Sequence, residues 1–493
     1  MRVRTVASRT GSSACRLVHK LILVEKSRTY LYRRFSAGFD PKPREEIARN
    51  DPAGYFGIFI NYARELKTNN FGQGFPDFPP PHFVIESLKK CTEEAENACH
   101  QYTIPLGNPG LLDEIAKDFA VHYNRKIDPS KEVMVSNGAA GIFMCFVQAF
   151  LKPGDEIVMF EPSYVYYLNA LDIMNVKIRW IPLIEKNGRM TYDVKFLESQ
   201  FNSKTRLFFI NSPHNPTSKV FNKEEMDEIY KVLVKNPDVL ILTDEVYYNL
   251  IYTPSKSSGL PQKSASEHVF LTSYPGLWER SLAMYSFGKT FGATGWRVGF
   301  GIGAPSIIKA MLTYQMFMTF CTNAPSQRAA TFVLQKAREP FQGEKDYYTW
   351  QRKLYQSKKD RIVTAFRELY DFDVIEPEGG YFCLANIQKA KFPTKYFYKG
   401  FKIPAGVPDV LENFSDWTKL PNPDYSADYA YGIHLCLDRG ITPWPLSGFY
   451  DNELTHRPTA SRKGSHMIRL SLCKGDPAIE RLELEGKNAK QNR

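Results

Sequence analysis

A two-domain α/β protein is predicted: a large domain with a mostly parallel sheet, followed by a smaller α+β domain. Three observations predict it. The chain has 493 residues, too many for one ordinary hydrophobic core. Short, near-continuous apolar runs recur at Glu156-Ile-Val-Met-Phe160, Arg206-Leu-Phe-Phe-Ile210 and Val239-Leu-Ile-Leu-Thr243. Such runs suit strands buried on both faces. Helical patterns lie between them, and strands alternating with helices argue for parallel pairing.

Taken in order, residues 1–35 read as a leader and residues 36–79 as an N-terminal arm with a helical stretch near Ile58–Leu66. Gly72-Gln-Gly-Phe-Pro-Asp-Phe-Pro-Pro-Pro81 holds too much Gly and Pro for helix or strand and is expected as an ordered loop. The large domain is assigned to residues 80–350. Within it Ile142–Leu151 and Lys223–Val234 read as helices, the second capped by Asn222 with Glu225 three residues on. Residues 345–369 form a long polar-faced helical pattern suited to linking the domains. The smaller domain, 351–493, opens on a strand, turn and strand between Asp373 and Asn386. A stretch at 390–427, rich in Pro, Lys, Asp and aromatics, reads as an insertion.

Composition narrows the class of protein. A hydrophobic content of 43% with 24% charged residues is that of a soluble globular chain. No run approaches the length of a membrane-spanning helix, so no membrane partner is expected. The net charge of +11 invites a nucleic-acid reading, but residues 1–35 hold nine Lys or Arg against Glu25 alone. Only +3 remains for the other 458 residues, and no nucleic-acid partner is expected. An Arg-rich, nearly acid-free leader has the composition of a mitochondrial transit peptide. Arg33-Arg34-Phe35-Ser36 resembles the site at which matrix proteases cut, so the mitochondrial matrix is the expected location. The eight cysteines show no CxxC pair, and a disulfide framework is not expected. Cys145, Cys321, Cys383 and Cys473 read as small buried hydrophobes. The His and Cys spacings support no metal site.

Chemistry concentrates in Tyr285-Ser-Phe-Gly-Lys-Thr-Phe-Gly-Ala-Thr-Gly-Trp-Arg-Val-Gly299. It follows an apolar strand and crowds small residues around Lys289. A desolvated lysine near other cations loses its ammonium form, and its free amine can condense with an aldehyde. Ser286 and Arg297 can turn toward one phosphate, as a point donor and as a bidentate fork. Ser-x-x-Lys by itself is equally a β-lactamase pattern, but no Ser-Asp-Asn or Lys-Thr-Gly follows it. Ser136-Asn-Gly-Ala-Ala-Gly141 places small residues at a helix start, where open backbone N–H groups favour an anion. Gly299-Phe-Gly-Ile-Gly303 imitates a dinucleotide loop, but its GxGxG spacing suits a closely packed strand instead.

With Asp244-Glu-Val-Tyr247, Asn211-Ser-Pro-His-Asn-Pro-Thr217, Glu161-Pro-Ser-Tyr164 and Met467-Ile-Arg-Leu-Ser-Leu472 in order around it, this segment resembles the class I/II aminotransferases of pyridoxal-phosphate fold type I. The resemblance spans about residues 55–485. It implies that Lys289 carries the cofactor and that Asp244 pairs with its ring nitrogen. Tyr247 and Asn215 would bond the phenolic oxygen, and Tyr164 would stack on the ring. Ala139, Ala140, Ser286 and Arg297 would hold the phosphate. Arg469 would grip the substrate carboxylate, with Gly74 and Asn215 beside it. Tyr102 would reach the site of a second subunit, which makes the expected assembly a homodimer, and the arm would join the small domain. Within the family, Gly72–Pro81, Pro377-Glu-Gly-Gly-Tyr-Phe382 and Gly440-Ile-Thr-Pro-Trp-Pro-Leu-Ser-Gly-Phe-Tyr450 resemble kynurenine aminotransferases, also known as glutamine transaminase K or cysteine-S-conjugate β-lyase. Phe59 stands for that group's arm tryptophan, Ser218 replaces a Gly, and the insertion is longer.

The function implied is ping-pong transfer of an amino group from an aromatic or neutral amino acid to a 2-oxo acid. Phe59, Phe75 and Tyr102 are the candidate side-chain pocket. The alternatives are β-elimination from cysteine conjugates with the same cofactor, or a nicotinamide-dependent dehydrogenase built on the 299–303 glycines.

Overall fold

Seven strands form the central sheet of the computed structural model, which describes residues 43–48, 54–93, 99–260, 267–412, 416–451, 459 and 462–491. The leader and its cleavage site lie outside the described residues. In chain order the strands are β1 (Val133–Asn137), β2 (Glu156–Glu161), β3 (Lys177–Pro182), β4 (Thr205–Asn211), β5 (Leu240–Asp244), β6 (Ser281–Ser286) and β7 (Val298–Gly303). Their spatial order is β1-β7-β6-β5-β4-β2-β3. Every pair from β6 to β3 is parallel, and β7 alone runs antiparallel to both its neighbours.

Alternate residues of the apolar runs enter two different cores. Ile157, Met159, Leu207, Phe209 and Leu242 pack on one side; Val158, Phe160, Phe208, Ile210 and Ile241 pack on the other. That two-sided burial is why the runs lack polar alternation. Helix α1 (Gly54–Glu65) belongs to the arm; α2 (His82–Glu93), α3 (Gly138–Phe150), α4 (Val165–Ile173), α5 (Lys223–Val234) and the short α6 (Phe287–Phe291) follow, with helices on both sides of the sheet. Helix α3 contributes Ile142, Phe143 and Phe146 to the first core, and α5 contributes Met226, Ile229 and Leu233 to the second. The start of α5 is the predicted capping box. Asn222 accepts from the Glu225 amide at 2.9 Å, and the Glu225 carboxylate accepts from the Asn222 amide at 3.0 Å.

The long helix α7 (Tyr347–Tyr370) leads to a four-stranded antiparallel sheet. Its strands are β8 (Asp373–Val374), β9 (Phe382–Asn386), β10 (Trp444–Pro445) and β11 (Met467–Ser471), in the order β8-β9-β11-β10. Helix α8 (Ala427–Asp438) packs in the same core, and so do Phe59, Tyr62 and Phe71 of the arm. In the 390–427 stretch, Phe392, Phe397 and Trp417 are buried in that core, so this segment is anchored by its aromatics.

The cysteines need correction. Cys91 at the end of α2 and Cys99 are paired in a disulfide, with Cα atoms 6.4 Å apart. Sequence spacing of eight residues carries no signal for that pair. Cys321 is half-buried rather than buried, whereas Cys145, Cys383 and Cys473 are buried.

Candidate active site

The edge at which β4, β5 and β6 end gathers the chemistry. Strand β6 stops at Ser286, and α6 lifts Lys289 off the sheet. A side chain at Gly288 would lie 2.7 Å from the Thr294 Cα atom, so only glycine allows this turn to fold so tightly. The Lys289 ammonium donates to the Gly74 carbonyl at 2.7 Å and lies between the rings of Tyr381 and Tyr247, 5.3 and 5.7 Å from their centroids. The Tyr381 hydroxyl donates to the Lys289 carbonyl at 2.6 Å. Burial pulls the lysine down to about 8, with Arg469 and Arg297 adding to the effect and Cys473 and Asp244 opposing it. A free amine is therefore accessible near neutral pH.

Asp244 closes β5 and is buried. It accepts from the Tyr167 hydroxyl at 2.7 Å and the Val246 amide at 3.3 Å. Burial outweighs these bonds and pushes the carboxyl up to about 7. Its neighbour in register, Asn211 of β4, donates to the Asp244 carbonyl at 2.9 Å. The same Asn211 side chain accepts from the Asn215 amide at 2.7 Å and so fixes the Asn215 loop against the sheet. Tyr247 is buried against Tyr381, ring centroids 5.0 Å apart, and burial raises its hydroxyl far above the ordinary value.

An anion-binding corner lies where α3 begins. The helix starts at Gly138, four residues before the apolar pattern announces it, and its Asn137 cap makes no side-chain bond. The first-turn amides of Ala139 and Ala140 are thus left to other partners. Arg297, at a left-handed φ of 56°, donates to the Asn137 carbonyl at 3.3 Å and the Thr294 carbonyl at 3.1 Å. It forms no ion pair among the described residues. Gly138 admits this guanidinium, because a Cβ there would sit 2.7 Å from Nη2. Ser286, the cap of α6, makes no side-chain cap bond and stands half-buried. Tyr164 caps α4 with 36% of its surface exposed, its ring edge-on to Tyr167 at 5.5 Å.

Arg469 projects from β11 and is 1% exposed. It donates to the Asn215 side-chain oxygen at 3.0 Å and to the Gly72 carbonyl at 2.7 Å, while its Nε has no partner. The rings of Phe382, Trp444 and Phe449 lie 3.8, 4.6 and 4.6 Å from the guanidinium carbon. Burial among them pulls even this group down to about 9. No ion pair compensates it among the described residues, and a buried guanidinium in that condition is costly. A carboxylate ligand would relieve that cost.

Two of the three predicted pocket aromatics, Phe59 and Tyr102, are not among the rings that enclose Arg469 within one chain. Phe59 is fully buried in the small-domain core, edge-on to Tyr429. Phe56, three residues earlier on α1, stacks at 4.1 Å on Trp444, one of the rings around Arg469. Tyr102 is 83% exposed and meets only Phe320 in a ring contact. Phe75 is partly exposed beside the 72–74 loop. Sequence reasoning assigned no role to Tyr167, Tyr381, Phe382, Trp444 or Phe449. Four of them stand in the segments that carry the resemblance, and Tyr167 follows Tyr164 by the three-residue spacing of one helical turn. The 299–303 glycines form strand β7, not a phosphate loop. A Cβ on Gly299 would lie 2.2 Å from the Gly138 carbonyl carbon, so these glycines let the sheet meet the start of α3. A cavity of about 430 Å³ lies elsewhere, between Tyr370, Phe372, Tyr431, His434 and Arg439. Among the described residues no cluster suited to a metal ion occurs, and no helix is long and apolar enough to cross a membrane.

Known proteins resemble this chain in sequence and fold. Residues 67–400 match the family described as aminotransferase class I and II. Kynurenine–oxoglutarate transaminase 1 of Homo sapiens is 31% identical over 86% of this chain and 93% of its own length. Kynurenine–oxoglutarate transaminase 3 of Rattus norvegicus is 32% identical over 86% of each. Among solved structures, Bna3p from Saccharomyces cerevisiae superposes with a TM-score of 0.75 at 24% identity, over 91% of this chain and all of its own. The family match covers most of the chain, and each of these relatives aligns over 86% of it. The chain therefore belongs to the class I and II aminotransferases, and is a pyridoxal-phosphate-dependent transaminase.

Proposed function

We propose that this enzyme transfers the amino group of an aromatic or other uncharged amino acid, of the kynurenine, phenylalanine or glutamine type, to a 2-oxo acid. One observation carries the reading. Lys289 and Arg469, 180 positions apart in the chain, donate to the carbonyls of Gly74 and Gly72, two residues apart in one loop. An amine able to react with a carbonyl thus stands beside a fork able to hold a carboxylate.

The residues fit the cofactor. Lys289 would carry it, Asp244 would face its ring nitrogen, and Tyr247 and Asn215 would bond its phenolic oxygen. Ala139, Ala140, Ser286 and Arg297 would hold the phosphate, with Tyr164 against the ring. A carboxyl held near 7 by burial gains most from a cationic neighbour, which suits Asp244 to a ring N–H. When bound, pyridoxal phosphate supplies an electron-withdrawing ring that takes up the charge left as the α-proton departs. Arg469 orients the amino acid by its carboxylate, a bidentate geometry that lysine cannot reproduce. Lys289 Nζ, with its low proton affinity, accepts the α-proton and returns it. Phe56, Phe382, Trp444 and Phe449 wall this end of the site, which favours aromatic or neutral donors over a second carboxylate. The relatives' names point to kynurenine as one such donor.

Purified protein should be yellow and transaminate phenylalanine faster than aspartate. Lys289→Ala should abolish turnover while leaving the fold intact. Preference for aspartate would overturn the substrate class, and near wild-type rates in Lys289→Ala would overturn the central assignment.

The enzyme works as a homodimer, with Tyr102 completing the partner's cofactor site. Its exposure beside Phe320, with Phe317 also 87% exposed, supports that reading. The leader directs import into the mitochondrial matrix, with the mature chain beginning near Ser36. Cytosolic fluorescence of a 1–40 fusion would rule import out.

A further inference from the structure

The loop Gly72-Gln73-Gly74 is held by three cations, one for each successive carbonyl. Arg469 donates to Gly72 at 2.7 Å, Lys474 to Gln73 at 3.1 Å and Lys289 to Gly74 at 2.7 Å. Two of these three have other work in the reaction. Lys474 has none. It is 2% exposed, forms no ion pair among the described residues, and lies 5.7 Å from the centroid of the Phe75 ring. Burying an ammonium against a carbonyl and an aromatic ring costs stability, and a neutral side chain of similar volume would avoid that cost.

Surrounding contacts direct this cation at the loop. The Lys358 ammonium donates to the Lys474 carbonyl at 2.9 Å, and the Asp77 carboxylate accepts from the next amide, Gly475. Asn70 turns the loop by accepting from the Gly72 and Gln73 amides at 3.1 and 3.2 Å, and its amide bonds the Gln73 side chain at 2.7 Å. The ring of Phe382 touches Gly74 so closely that a Cβ there would fall 2.2 Å from it. The loop therefore has little room to shift sideways. Its carbonyls are the part exposed to change, because Lys289 and Arg469 must serve the reacting groups.

We propose that Lys474 is a positioning residue for transamination: it holds the Gln73 carbonyl, and so the substrate-side loop, in register while Lys289 and Arg469 exchange partners. The inference rests on the reading that Arg469 takes the substrate carboxylate. Lys474 touches no reacting atom and acts through Gln73.

The test compares Lys474→Met, Lys474→Arg and, in parallel, Arg469→Lys, each as holoenzyme with phenylalanine as donor. Lys474→Met should raise KM roughly tenfold with kcat nearly kept, since misplacing a substrate-side contact weakens capture. Cofactor absorbance should be unchanged, and Lys474→Arg should recover most of the KM. Hydrogen exchange should quicken in peptide 71–78 of Lys474→Met and stay unchanged in peptide 281–286. If Lys474→Met does not fold, Lys474→Gln replaces it under the same expectations. An unchanged KM and unchanged exchange in 71–78 would overturn the proposal, and so would a loss of kcat and stability without any KM effect. If Arg469→Lys alone leaves kinetics untouched, the substrate-carboxylate reading fails instead.

Discussion

Burial sets the two groups closest to the chemistry against their usual charge states: Asp244 is pushed up to about 7 and Lys289 down to about 8. Desolvation penalises the charged form of each, and their mutual attraction only partly offsets it. The aspartate has a consequence for the apoenzyme. Between about pH 4, its ordinary value, and about pH 7, the folded chain keeps a proton that the unfolded chain has lost. The folded form then binds more protons, so the stability contributed by this group is complete below about 4 and falls as pH rises through about 7. Urea unfolding of apoenzyme across pH 4–8 should show wild type losing stability relative to Asp244→Asn, at no more than about 1.4 kcal/mol per pH unit. A pH-independent difference between the two proteins would mean that Asp244 is ionised throughout. With cofactor bound, Asp244→Asn should transaminate poorly.

At the scale of elements, the site depends on backbones that approach one another without side chains between them. Strand β7 meets the first residues of α3, and Gly299 is the contact. Its missing side chain would collide with backbone atoms of Gly138 and Ala139, at 2.2 and 2.3 Å, which no rotamer change relieves. Gly299→Ala should therefore cost about 1–3 kcal/mol of stability and weaken cofactor retention, because the phosphate corner moves with the helix start. Gly301→Ala is the control. Its Cβ would meet only the side chains of Ile142 and Leu282, at 3.2 Å, and those can give way. Equal unfolding midpoints for Gly299→Ala and wild type would show that the strand and helix are not in close contact in solution.

Across the whole molecule, the open question is what covers Tyr102, Ile104, Phe317 and Phe320, all exposed in one chain. A second copy of the chain is the proposed answer, and a complementation experiment tests it. Tyr102→Phe alone should hold cofactor weakly, and Lys289→Ala alone should be inactive. Refolded together they should regain activity, since one site in the mixed dimer combines an intact Lys289 with the partner's intact Tyr102. No recovery, or an active monomer in sedimentation, would refute the shared site.

Much of this could be read without coordinates, for local physical reasons. Strands buried on both faces require unbroken apolar runs, so β2, β4 and β5 stand out in the sequence. The cap of α5 is likewise a local hydrogen-bond pattern, visible at Asn222 and Glu225. Lys289, Asp244 and Asn215 are polar residues at or just past the ends of such strands, which is where an α/β sheet exposes its chemistry. Other features depend on atoms distant in the chain. Position on α1 decides that Phe56 stacks on Trp444 while Phe59 enters the small-domain core, and periodicity does not distinguish them when both are apolar. The Cys91–Cys99 pair, the tyrosine bonds to Asp244 and Lys289, and the three cations on the Gly72–Gly74 carbonyls depend on how the arm, the sheet and β11 come together. Side-chain chemistry and local pattern are properties of the chain itself. Desolvation and distance between remote segments exist only once it is folded, and they determine which of these groups are close enough to react.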